Sequence, residues 1–78
     1  MIRVILNVIG HASEFFPNRS PRLGVEIPHP MTVRDILGHI GVRPELVMRV
    51  ASGGQTYSKD YVPADGEEIT LISPPSGG

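Results

Sequence analysis

Residues Ile69–Gly78 read Ile-Thr-Leu-Ile-Ser-Pro-Pro-Ser-Gly-Gly, and the interpretation of the whole chain starts from this stretch. Its first half predicts a β-strand, because three aliphatic residues and a threonine favour extended backbone. Pro74 and Pro75 cannot continue the strand, since proline has no N–H to donate to a sheet. We therefore expect the chain to leave the sheet as a stiff Pro-Pro segment and to become flexible at Ser76–Gly78.

The last two residues, Gly77 and Gly78, have no side chains and tolerate backbone angles that other residues avoid. A terminus of this kind can thread a narrow channel where a Cβ atom would collide. The pattern is typical of a carboxylate that is presented to the active site of another protein. The alternative for Gly-Gly alone is a frayed or artificial terminus.

The composition of the chain limits the folds and functions that it can have. A chain of 78 residues with 40% hydrophobic content predicts one folded domain with a thin core. The net charge of −1 gives no indication of binding to nucleic acid or to a membrane surface, and we expect neither partner. The absence of cysteine excludes a disulfide scaffold and a thiol nucleophile. No apolar run reaches transmembrane length, so we expect a cytoplasmic protein.

The order of elements predicts the fold class. The expected elements are strands at Ile2–Ile9 and Leu23–Ile27, a helix at Val33–Ile40, and strands at Leu46–Ala51, Thr56–Tyr57 and Ile69–Ile72. Thr32, with Asp35 three residues later, predicts a cap at the start of the helix, and residues 52–55 predict a turn. Helix and strands do not alternate regularly, which favours an α+β fold with a mixed sheet of four to five strands and one main helix. The first and last strands are the most apolar, so we expect them to form a central parallel pair.

Alternation along the strands and helical spacing predict the core. Its expected members are Val4, Leu6, Val8, Val25, Ile36, Leu37, Ile40, Val50, Ile69 and Leu71. Phe15 and Phe16, in the long connection after the first strand, are expected to cap an open end of this core. On the opposite face, Ile5 and Ile72 interrupt an otherwise polar surface, and we predict that they bind partners.

The side chains offer little chemistry of their own. The three histidines, His11, His29 and His39, have neither ligand spacing nor an accompanying carboxylate cluster, so no metal site is predicted. No serine has the context of a catalytic nucleophile, and we expect neither enzymatic activity nor a cofactor. The acidic group Asp65, Glu67 and Glu68 is predicted to be a solvated turn, with a docking patch for a basic partner as the alternative.

The remaining reactive group is the carboxylate of Gly78. It is ionised at neutral pH, with an ordinary pKa of about 3.5, and is a poor electrophile. A partner would have to activate it, most plausibly as an acyl-adenylate. Attack by sulfide or a persulfide would then produce a thiocarboxylate.

Three segments carry a family resemblance: the opening strand Ile2–Val8, the helix start Met31–Leu37 and the closing run Asp65–Gly78. In these the chain resembles the ThiS/MoaD family of ubiquitin-like sulfur carriers. The resemblance implies a β-grasp domain at 1–72 and a flexible Gly-Gly tail at 73–78. The Ala12–Phe16 insertion and the Pro-Pro pair are more similar to the MoaD branch, the small subunit of molybdopterin synthase.

The resemblance also implies a site and partners. Gly78 would be adenylated and thiocarboxylated, and Gly77, Ser76, Pro75 and Pro74 would form the tail that presents it. The implied partners are a ubiquitin-activating-enzyme-like adenylating enzyme of the MoeB/ThiF type, a sulfur donor and the large subunit of molybdopterin synthase. The turn at 52–55 and the short helix depart from the family pattern. Thiamin or another sulfur acceptor therefore stays open, as does a ubiquitin-like protein modifier or interaction module.

Overall fold

The computed structural model describes residues 1–73, apart from the side chain of His11. The strands are β1 (Ile2–Ile9), β2 (Arg22–Ile27), β3 (Arg49–Ser52), β4 (Gln55–Tyr57) and β5 (Glu68–Ile72). The helix α1 spans Val33–His39, and short 3₁₀ helices occupy His11–Phe15, Pro17–Arg19 and Pro44–Leu46.

The strands form one mixed sheet in the order β2-β1-β5-β3-β4. β1 and β5 lie next to each other and run parallel, whereas β2 is antiparallel to β1 and β3 is antiparallel to both β5 and β4. The predicted central parallel pair is therefore confirmed. Because the chain passes through α1 before it returns to the sheet, β5 can enter beside β1 in the same direction.

One face of the sheet and α1 enclose the core. The predicted core residues are buried, with one exception, Ile40, which is only half-buried. α1 ends at His39, and Ile40, which was predicted to be its last residue, is the C-cap, so its side chain packs on the margin of the core rather than inside it. Additional buried hydrophobic residues come from the start of α1, the connections between elements and the strand ends: Ala12, Phe16, Ile27, Val33, Val42 and Val47.

The start of α1 is held by side-chain and backbone contacts. Thr32 Oγ1 accepts a hydrogen bond from the Asp35 N–H at 3.1 Å, as the sequence predicted. The N–H groups of Val33 and Arg34 donate to the carbonyls of Tyr61 and Lys59, each at 2.9 Å. These bonds satisfy donors that a helix start leaves without intrahelical partners. The short helix is thus tied directly to the segment that leads toward β5.

Two local predictions are wrong. The third strand begins at Arg49 and not at Leu46, because Pro44 starts a 3₁₀ turn and the Val47 N–H donates to the Pro44 carbonyl at 3.0 Å. Of the two phenylalanines, only Phe16 is buried, while Phe15 is 60% exposed. Phe15 ends the 3₁₀ helix and Phe16 already has extended backbone, so the two side chains do not share one direction.

The predicted turn between β3 and β4 is confirmed. Gly53 and Gly54 both have positive φ, at 59° and 81°, and Ser52 pairs with Gln55 across the hairpin. A two-residue hairpin of this type needs left-handed backbone at both positions, which glycine adopts without steric cost.

Candidate functional site

The point at which the chain leaves the sheet is firmly anchored. We call Ile72 and Ser73 the tail root. The carbonyl of Ile72 accepts a hydrogen bond from the Met48 N–H at 2.7 Å. On the other side, Ser73 donates twice to the carbonyl of Ile9, from its N–H at 3.2 Å and from its hydroxyl at 2.8 Å. The sheet therefore holds the chain on both sides up to the residue before Pro74.

Gly10 leaves the space that the tail root occupies. Its backbone has φ 99° and ψ −164°, a combination essentially restricted to glycine. A Cβ atom at this position would overlap the hydroxyl of Ser73. The sequence placed Ser73 in the tail and did not single out Gly10. The contact between them was missed because the two residues are far apart in sequence.

The predicted partner-binding residues lie on the outer face, which is the sheet face opposite α1. Ile72 and Ile5 are both half-buried. Ile72 is paired with Ile9 on one side and Arg49 on the other. Ile5 is separated from Ile72 by four residue steps along the parallel pair, about 13 Å. The structure therefore places the two residues on one face but does not bring them together.

An apolar pair that the sequence did not single out lies beside the tail root. Ile9 is 57% exposed and is the direct parallel-strand partner of Ile72. Arg49 extends the same row on the next strand. We call Ile9, Ile72 and Arg49 the outer row. Alternation along β1 puts Ile9 on the outer face with Ile5. The register of β5, which sequence could not supply, makes Ile9 a neighbour of Ile72.

A polar cluster separates Ile5 from the outer row. The carboxylate of Glu68 accepts hydrogen bonds from the Asn7 side-chain amide at 2.5 Å and from the Arg22 guanidinium at 2.8 Å. The bond from Asn7, followed by the bond from Arg22, lowers the pKa of Glu68 below its ordinary value. The ion pair between Arg22 and Glu68 is largely exposed, so its contribution to stability is small.

Glu67 is the centre of a second network, at the turn that leads into β5. Its carboxylate accepts hydrogen bonds from the Ala64 N–H at 2.8 Å and from the hydroxyls of Ser52 and Tyr61, each at 2.5 Å. These three bonds, with that from Ala64 contributing most, lower the pKa of Glu67. The bond to Glu67 and partial desolvation raise the pKa of Tyr61, whose ring stacks on Tyr57 with a centroid distance of 4.2 Å.

The acidic group lies on an exposed turn, as predicted, and its carboxylates also hold this turn in place. Asp65 accepts a hydrogen bond from the Arg3 N–H at 2.8 Å, and the Gly66 N–H donates to the Arg3 carbonyl at 2.7 Å. Together with the contacts of Glu67 and Glu68, these bonds fix the turn to β1 and to the β3–β4 hairpin. All three carboxylates are engaged within the chain, which weighs against a docking patch for a basic partner.

Other types of site find no support in the part of the chain that is described. Within residues 1–73, no three histidine, aspartate or glutamate side chains lie together where they could hold a metal ion. None of the helices in this range is long and apolar enough to cross a membrane. The residues predicted to present and carry the reactive carboxylate, Pro74, Pro75, Ser76, Gly77 and Gly78, lie outside the described residues.

Comparison with solved structures identifies a chain of the same fold. The crystal structure of SAMP1 from Haloferax volcanii superimposes with a TM-score of 0.67 at 22% sequence identity. The match covers 97% of this chain and 99% of that chain. No protein-family model matches the sequence, and neither does a curated protein. The similarity establishes the β-grasp, ubiquitin-like fold that the sequence predicted.

Proposed function

We propose that this protein is a ubiquitin-like carrier whose working group is the carboxylate of Gly78. The observation that carries the proposal is the anchoring of the tail root. β5 lies between β1 and β3, Ser73 is bonded to the carbonyl of Ile9, and the sequence then continues as Pro-Pro-Ser-Gly-Gly. A rigid β-grasp domain that ends in a side-chain-free terminus is suited to presenting a carboxylate at a fixed distance from a docking surface.

The proposed reaction begins with activation by a partner. A carboxylate oxygen of Gly78 attacks the α-phosphorus of ATP, pyrophosphate leaves, and an acyl-adenylate forms. A sulfide or persulfide donor then attacks the acyl carbon, and AMP leaves. With sulfide, the product is the thiocarboxylate directly. With a persulfide, the product is an acyl disulfide, and a thiol must reduce its S–S bond before the thiocarboxylate is released.

In this scheme the chain supplies no catalytic side chain. The adenylating enzyme, of the ubiquitin-activating type, provides the groups that bind ATP and stabilise the leaving groups. The chain contributes a surface for docking and a backbone that delivers its terminus. The outer row is the proposed centre of that surface, because Ile9 and Ile72 are apolar, partly or largely exposed, and directly adjacent to the tail root.

The proposed use of the sulfur is the biosynthesis of molybdopterin, with the large subunit of molybdopterin synthase as the partner that binds the thiocarboxylated chain. This choice rests on the resemblance of the Ala12–Phe16 insertion and of Pro74-Pro75 to the MoaD branch. Transfer to thiamin synthesis or to another acceptor uses the same carboxylate chemistry. Conjugation of Gly78 to lysine side chains is the competing use, since it also begins with adenylation.

Intact-mass spectrometry of the protein isolated from its native cells tests the proposal. A carrier shows a population in which one oxygen at the C-terminus is replaced by sulfur, and the modified fragment contains Gly78. Isopeptide adducts between Gly78 and lysines of other proteins would identify a modifier instead. A terminus that carries neither change, in cells that contain an active adenylating enzyme, would overturn both uses.

A further inference from the structure

Ser73 makes a contact that β-sheet pairing alone does not require. Its backbone N–H continues the ladder by donating to the carbonyl of Ile9 at 3.2 Å. Its hydroxyl donates to the same carbonyl at 2.8 Å. A carbonyl oxygen has two lone pairs and can accept both bonds. The side chain and the backbone of Ser73 are thus attached to one atom of the neighbouring strand.

The neighbouring strand provides the space for this contact. Gly10 follows Ile9 directly, and a side chain at Gly10 would occupy the position of the Ser73 hydroxyl. The acceptor for the hydroxyl and the space that it fills therefore come from adjacent residues. We call the arrangement of Ile9, Gly10 and Ser73 the exit clamp.

Ser73 is also the last residue that the sheet can hold in this way. Pro74 follows it, and proline cannot donate to a ladder. The two prolines restrict φ, so on the sequence prediction a direction imposed at Ser73 is carried into the following residues. A change of about 10° in that direction moves the far end of the two-proline segment, ~6 Å away, by about 1 Å.

We propose that Ser73 is a positioning residue for the reaction at Gly78. The exit clamp fixes the direction in which the chain leaves the sheet, and thereby the place that the terminal carboxylate reaches when the domain is docked. This inference rests on the proposed function. It adds that the domain itself, and not only the partner, determines the direction of the tail.

The test is ATP–pyrophosphate exchange driven by the ubiquitin-activating-type enzyme of the same organism, with this chain as the varied substrate. Ser73→Ala removes the hydroxyl bond and leaves the backbone bond. Misplacement of a reacting group by about 1 Å can cost roughly a hundredfold. Because the remaining backbone bond should keep the misplacement smaller than this, we expect kcat to fall about three- to tenfold. KM should stay within about twofold, because Ser73→Ala leaves the outer row unchanged, and loss of an interaction that acts only in the transition state lowers kcat without changing KM.

Two variants complete the test. Ser73→Thr keeps a hydroxyl on a residue that favours extended backbone, and it should restore kcat to within about twofold of the wild type. Ser58→Ala is the matched control: it removes an exposed hydroxyl that accepts a hydrogen bond from the Asp60 N–H at 3.2 Å, beyond β4 at the edge of the sheet and outside the exit clamp. Its kinetics should equal those of the wild type.

The outcomes separate this inference from the proposed function. If the wild-type chain supports no exchange, the proposed function fails. If the wild type is active and Ser73→Ala has the same kcat, the positioning role fails while the function stands. A kcat that is equally low in Ser73→Thr and Ser73→Ala would also contradict the positioning role. A raised KM with unchanged kcat in Ser73→Ala would contradict it as well.

Discussion

At the residue scale, Glu67 is the side chain on which the turn before β5 depends. It accepts three hydrogen bonds, from Ala64, Ser52 and Tyr61, and so joins the turn at 61–67 to the end of β3. A carboxylate that is hydrogen-bonded in its charged form has a lowered pKa, and the structure places Glu67 in that situation. Its protonation should therefore loosen the turn.

The sign of the pH dependence follows from this lowered pKa. The stabilisation is fully present above the unfolded-state pKa of about 4.3, and it is lost as the pH falls from there through the lower folded-state pKa. Glu67→Gln should reduce the free energy of unfolding at pH 7 by about 1 kcal/mol. It should also flatten the decline in stability below about pH 5. Some decline should remain, because Glu68 also has a lowered pKa.

Urea denaturation across this pH range measures both effects. Glu45→Gln is the control, because Glu45 is exposed and its side chain makes no hydrogen bond within residues 1–73. A Glu67→Gln variant with the wild-type pH profile would show that the network does not depend on the charge of Glu67.

At the scale of elements, β5 connects the core to the tail root. Leu71 is fully buried between β1 and β3, one residue before Ile72. Leu71→Ala should cost about 2–5 kcal/mol, which is a large fraction of the 5–15 kcal/mol typical of small domains. Ile40→Ala, at a half-buried position at the end of α1, should cost about 1 kcal/mol. Equal losses in thermal or urea unfolding would contradict this placement of the core.

The outer row is the second feature that depends on β5. Ile72→Ser should raise KM for adenylation about tenfold, equivalent to 1.4 kcal/mol, because an apolar contact beside the tail root is lost. Ile5→Ser is the matched variant. It removes the same side chain about 13 Å away, beyond the polar cluster, and should have the smaller effect. The docking surface is misplaced if Ile72→Ser binds like the wild type while both variants melt normally.

Much of this fold could be predicted from local sequence. The alternation in β1, the Thr32 cap and the Gly53-Gly54 turn each have a short-range physical cause, and each is confirmed. The third strand was placed three residues too early, because apolar residues 46 and 47 fit a strand pattern equally well. Pro44 and the packing of Val47 decide against it, and such packing is set by the tertiary structure.

The candidate site was less predictable because it is built from long-range contacts. Alternation puts Ile9 on the outer face, but only the register of β5 against β1 makes it the neighbour of Ile72. The acidic residues before β5 could be predicted as an exposed turn. Their structural role could not, because their partners, Arg3, Ser52 and Arg22, come from other strands or their ends. Sequence identified the types of residue, and the strand register determined their roles.

At the scale of the whole molecule, the proposed function depends on the length of the segment beyond the sheet. The strand ends at Ile72, and Ser73–Gly78 spans at most about 20 Å when extended. If the domain docks through the outer row, this span sets how far the carboxylate reaches into the partner. One added residue displaces the carboxylate by about 3.3–3.6 Å.

A chain with one glycine added after Gly78 should therefore lose adenylation by at least about a hundredfold, since about 1 Å of misplacement already has that effect. Deletion of Gly78 should be equally severe. Gly77→Ala should impair the reaction by placing a Cβ atom in the channel. Each variant should melt like the wild type, because the sheet and the core lie within residues 1–73.

ATP–pyrophosphate exchange and thermal melts of each variant test whether adenylation depends on tail length while the fold stays intact. The control carries one glycine before Met1, which is 82% exposed, and should be adenylated like the wild type. This control separates the position of the added residue from its mere presence. If the chain extended at Gly78 is adenylated as fast as the wild type, the Gly78 carboxylate is not the working group. The length of the tail would then not determine whether the terminus reaches a partner's active site, and the proposed carrier function would be wrong.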